Sequence, residues 1–133
     1  MRRVIEYLNF HCGDYVIVGS LALYIHNIID TFSKKDIDIV IDVPYNEYDY
    51  NSNWMKRKDR FSGWGWTTRI DDYYIDVFNT ELPNHHIEYV DDLKVNIITL
   101  SALKKHYNTL DIPMLGGHLN FRKKMMARCA LFN

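Results

Sequence analysis

Asp36 and Asp38 lie two residues apart in the stretch Asp36-Ile37-Asp38-Ile39-Val40-Ile41-Asp42-Val43, where acids and aliphatics alternate. Successive side chains of a strand point to opposite faces. The alternation therefore sends Asp36, Asp38 and Asp42 one way, and Ile37, Ile39, Ile41 and Val43 the other. Two neighbouring carboxylates raise each other's cost of ionising unless a cation lies between them. Mg2+ suits this role because it favours carboxylate oxygens together with substrate phosphates. Metal-assisted phosphate chemistry on a nucleotide is what such a pair supports.

Two further features share that chemistry. The apolar run Tyr15-Val16-Ile17-Val18 is interrupted by Gly19-Ser20 just before a helical stretch, and free N–H groups at a helix start bind phosphate. The bland alternative is a turn with a serine N-cap. Asp76 stands alone in the apolar run Tyr73-Tyr74-Ile75-Asp76-Val77-Phe78. A carboxylate there is costly unless paired or metal-bound, and an ion pair with Arg69 or a nearby lysine is the plain alternative. For Asp36 and Asp38 the alternative is a half-exposed strand with acids on its wet side.

The elements that must position these groups are legible in outline. Val4, Ile5 and Leu8 share one face of a helix over residues 2–12. A strand at 15–18, a helix at 21–29 and a strand at 36–43 follow, ended by Pro44. Residues 45–62 read as a loop with one irregular helix near 54–60. Tyr45, Tyr48, Tyr50 and Trp54 there are candidates for stacking a base or covering a core edge. Asp71-Asp72 turns a hairpin between strands at 66–70 and 73–79. The glycines of Gly63-Trp64-Gly65-Trp66 mark a ligand approach or a flexible hairpin end. His85-His86, read as strand residues, point to opposite faces and so share no metal. Short strands at 86–90 and 93–98 precede a helix at 100–110 capped by Thr99 or Ser101. A closing helix spans 119–132.

Taken together, Gly19-Ser20, then Lys35-Asp36-Ile37-Asp38-Ile39, then Ile75-Asp76-Val77 resemble the three-part signature of the DNA polymerase β-like nucleotidyltransferase superfamily. The resemblance covers roughly residues 14 to 105. It is nearer to abortive-infection toxin and aminoglycoside or lincosamide nucleotidyltransferases than to the minimal antitoxin type, whose arginine-rich helix is absent after Ser20. It implies an α+β fold, a small mixed β-sheet with helices packed on one side. It also implies two Mg2+ ions held by Asp36, Asp38 and Asp76, with Gly19 and Ser20 cradling the triphosphate. Lys104 and Lys105 match a helix position where a lysine often contacts the triphosphate, and Lys35, beside the acids, is a candidate to touch a phosphate or to be solvated. The activity implied is transfer of a nucleoside monophosphate from an NTP to a hydroxyl of RNA, protein or a small molecule. A toxin–antitoxin or phage-defence role and a protein partner follow from the same resemblance. Two other classes stay open: a catalytically inactive module of this fold that binds a partner protein or nucleotide, and an unrelated α+β interaction protein.

Composition sets the outer bounds. At 133 residues and 15.9 kDa the chain is expected to form one domain over residues 1–133. Its 47% apolar content predicts a packed core rather than disorder. No apolar run reaches the length of a membrane span, and Met1-Arg2-Arg3 is not followed by the apolar core of a signal peptide. A cytoplasmic protein without membrane association is therefore expected. Cys12 and Cys129 are too few for a zinc site or a disulfide framework. A net charge of −1 offers nucleic acid no bulk attraction. The last third is locally basic, however, with Lys104, Lys105, Arg122, Lys123, Lys124 and Arg128 available to face a triphosphate or solvent.

Overall fold

The structure, a computed structural model, describes residues 2–12, 14–32, 36–41, 55–59, 63–79, 81–109 and 127–132. The chain runs through α1 (Arg2–His11), β1 (Tyr15–Val18), α2 (Gly19–Ile25), β2 (Asp36–Ile41), β3 (Met55–Asp59), β4 (Gly63–Ile70) and β5 (Tyr73–Asn79). A 3-10 turn at Asn84–His86, β6 (Ile87–Val90), β7 (Val95–Ile98) and α3 (Leu100–Thr109) follow.

The strands form one seven-stranded sheet in the order β3-β4-β5-β2-β1-β7-β6. It is mixed. The β1–β7 and β2–β5 pairs are parallel, and the remaining neighbours are antiparallel. A mixed sheet with helices agrees with the α+β expectation, although with seven strands the sheet is not small.

Register follows from burial. Ile17 pairs with Ile39, and Ile37, Ile39 and Ile41 pair with Ile75, Val77 and Asn79. Ile17, Ile37, Ile39, Ile75 and Val77 are fully buried, so this face of the sheet carries the core. Val4 and Leu8 of α1, Leu21 and Leu23 of α2, and Leu103 of α3 belong to the same buried cluster. Each such side chain is stabilised by about 1.5–3 kcal/mol relative to an exposed one. A one-residue slip of β2 would expose three isoleucines and bury its acids, so the pairing is strongly specified.

Several expectations need correction. The stretch around 55–59 is a strand rather than an irregular helix. Its sequence, MKRKD, has no apolar alternation because β3 is an edge strand, and charged edges block further pairing. The helix expected at 21–29 begins at Gly19 and ends at Ile25. β4 starts at Gly63, so the two glycines lie within the strand rather than at its flank. His85 and His86 sit in the 3-10 turn with their rings in edge contact, centroids 4.2 Å apart, rather than on opposite faces of a strand.

The hairpin and helix-cap readings stand. The hairpin turn lies at Asp71-Asp72, with Asp71 at φ 55°. Thr99 caps α3 by accepting from the N–H of Ala102 at 3.2 Å. Both cysteines are free thiols. Among the described residues no helix is long and apolar enough to cross a membrane. Tyr45, Tyr48, Tyr50 and Trp54 lie outside the described residues, as do residues 119–126 of the expected closing helix, of which 127–130 are helical.

Candidate active site

The parallel pairing of β2 with β5 decides where the carboxylates go. Asp38 is in register with Asp76, and Asp36 with Tyr74. Register partners in a parallel pair project to the same face, and neighbouring strands lie about 4.8 Å apart. Asp36, Asp38 and Asp76 therefore share the sheet face opposite the isoleucine core. Asp38 and Asp76 are half-buried side by side, and Asp36 is exposed at the strand's start.

The β1–β2 pair brings the Gly-Ser turn to the same place. Val18, the last residue of β1, is opposite Asp38. Gly19 follows with φ +65°, in the left-handed region that favours glycine. A β-carbon built on Gly19 would lie 2.6 Å from Oδ2 of Asp38. The glycine thus serves two needs at once, the turn and the close approach of backbone to carboxylate.

Ser20 is not the helix cap. Val18 occupies the cap position of α2, and no side chain caps it. Instead, Ser20 Oγ accepts a hydrogen bond from Nη2 of Arg128 at 3.1 Å. α2 spans only seven residues, so its N-terminal dipole adds little to any anion site. Among the described residues the cation that reaches the turn is thus Arg128, from the basic C-terminal part of the chain. Nothing in sequence spacing singles it out, because 108 residues separate it from Ser20.

The lysines are less closely tied to this site. Lys104 and Lys105 are exposed on α3. That helix starts at the same end of the strands as Gly19 because β7 is parallel to β1. Lys35 lies outside the described residues.

Arg69, the sequence candidate for neutralising Asp76, is engaged elsewhere. It donates to the carbonyl of Asp71 at 3.2 Å, pairs with Asp72 at 3.8 Å, and lies 5.4 Å from the ring centroid of Tyr74. The register partner of Asp76 on β4 is Thr67.

For a metal, the donor set has the right chemistry, being all carboxylate oxygen. Among the described residues no group of three or more His, Cys, Asp or Glu side chains is gathered tightly enough to hold an ion by itself. Mg2+ is ordinarily held by one or two carboxylates plus substrate phosphates and water, so the Asp38–Asp76 pair fits an ion that arrives with its nucleotide. Compared with known proteins, the chain matches no family model, no curated protein and no solved structure.

Proposed function

We propose that this protein is a Mg2+-dependent nucleotidyltransferase that moves a nucleoside monophosphate from an NTP to a hydroxyl of RNA, protein or a small molecule. The observation that carries the reading is the in-register placement of Asp38 beside Asp76, with Gly19 against the Asp38 carboxylate. Order and spacing of the three motifs in the sequence support it independently.

In this reaction the acceptor oxygen bonds to the α-phosphorus. The bond from that phosphorus to the bridging oxygen breaks, and pyrophosphate leaves with the electron pair. Bound Mg2+ supplies charge neutralisation at the phosphates and lowers the barrier to deprotonating the acceptor. Asp36 and Asp38 would hold both metal ions with the triphosphate, and Asp76 would share in holding the second. Asp76 orients the acceptor hydroxyl and takes its proton, which passes to solvent. Ser20 and the Gly19 backbone position the terminal phosphates. Positioning and electrostatics account for the catalysis, without a covalent enzyme intermediate.

The test is incubation of the protein with each NTP labelled at the α-phosphate, Mg2+ and cell extract, followed by separation of the labelled macromolecules. A labelled acceptor that disappears with Asp38→Ala is expected. Equal labelling by that variant removes the assignment of the acids. NTP binding with no labelled product favours the rival reading, an inactive nucleotide-binding module.

A further inference from the structure

Arg128 donates through Nη2 to Ser20 Oγ, and the two residues come from opposite ends of the chain. A guanidinium has five N–H donors and accepts nothing, so the serine hydroxyl must be the acceptor in this bond. The hydroxyl hydrogen is then left to donate. Ser20 is only 9% exposed, and among the described residues its side chain has no other hydrogen-bond partner. Together the pair offers donors only: the rest of the guanidinium fork and the serine O–H. Its complement is an anion with several acceptor oxygens, and phosphate matches the planar fork of arginine better than a single-point acceptor does.

The setting is fixed from both sides. Cys129 and Phe132, in the same C-terminal turn as Arg128, pack against the core cluster. On the other side Ser20 follows Gly19, where an added β-carbon would meet the Asp38 carboxylate. The donor pair is thus one residue removed from the carboxylates.

We propose that Arg128 and Ser20 form an oxyanion subsite that binds the terminal phosphates of the nucleotide, so that the C-terminal turn completes a site otherwise built from residues 19–76. This rests on the nucleotidyltransferase reading for its ligand, and it adds an element and a residue which that reading did not assign. Without this role, Arg128 is a pin holding the C-terminal turn to α2.

Calorimetric titration of the full chain with inorganic pyrophosphate in Mg2+ buffer separates the two roles. The wild-type protein is expected to bind. Arg128→Gln weakens binding by about tenfold to a hundredfold, the usual worth of charge-assisted hydrogen bonds. Arg128→Lys keeps the charge but not the fork and restores only part of the loss. Both variants are checked by thermal melting, since a pin shifts the melting midpoint without changing pyrophosphate affinity in the folded protein. Absence of binding to the wild type, or wild-type affinity in Arg128→Gln, overturns the subsite. A protein that binds pyrophosphate through Arg128 but transfers no label keeps the subsite and loses the transferase. Label transfer indifferent to Arg128→Gln does the reverse.

Discussion

Gly19 and Asp38 meet so closely that a single methyl group on the glycine would fall 2.6 Å from the aspartate's Oδ2. The contact ties the end of β1 to the carboxylate on β2, and it predicts how the site fails. In Gly19→Ala the methyl strains a backbone at φ +65° and pushes the Asp38 carboxylate aside. The obstructing atom is the end of a side chain that can rotate, so the stability cost is modest, about 1–2 kcal/mol from the left-handed backbone. The displaced carboxylate costs far more in turnover, on the order of a hundredfold. Thermal melting and the label-transfer assay on the same preparation check the split. Loss of both in proportion would mean that the glycine serves the fold alone.

Asp38 and Asp76 should report metal-nucleotide binding through stability. A ligand that binds only the native state stabilises it by about 2.7 kcal/mol at a hundredfold excess over Kd. For a chain of this length the melting midpoint rises on the order of 5–10 °C. Mg2+ with a non-hydrolysable NTP analogue is expected to produce that rise in the wild type. Asp38→Asn and Asp76→Asn should lose it while remaining folded, as seen by circular dichroism. An undiminished rise in both variants would place the nucleotide elsewhere.

The helix after β7 depends on a local cap. Thr99 Oγ1 accepts from the N–H of Ala102 at 3.2 Å. Thr99→Ala is expected to cost about 1 kcal/mol in urea unfolding, and Thr99→Ser to recover most of it. Ser101, the other sequence candidate for the cap, is exposed, and Ser101→Ala should be near neutral.

Tyr15 predicts an alkaline limit. Its hydroxyl donates to Asn9 Oδ1 at 2.6 Å, and burial, with the nearby Cys12 thiol adding to it, raises its pKa above the ordinary 10.0. A raised folded-state pKa stabilises the native form below the unfolded value, and that stability is lost as pH climbs beyond it. Above about pH 10 the unfolded chain's Tyr15 ionises while the folded one resists, so unfolding gains. Tyr15→Phe should lower stability at neutral pH and flatten the decline of melting temperature above pH 10, measured against the wild type.

Much of the fold was legible because local periodicity reports burial. The alternation from Asp36 to Ile39 named both the strand and the face its acids share, although Val40 farther along that face is buried. The hairpin at Asp71-Asp72 and the helix start at Thr99 were marked by turn and cap chemistry. β3 was not legible, since MKRKD at a sheet edge is selected for charge rather than burial and so has no hydrophobic period to read. The two histidines escape a period-two pattern because their segment forms a 3-10 turn.

For the site, the amino-acid order alone settled which residue types were available: a glycine that tolerates positive φ, a serine after it, and acids spaced to share a strand face. Each of these follows from bonds and sterics within a few residues. Tertiary structure alone decided that β2 runs parallel to β5 in the register that sets Asp38 beside Asp76, and that Arg128 reaches Ser20. The first outcome depends on how the buried isoleucines and valines of distant strands pack together, and no local pattern encodes a contact across 108 residues.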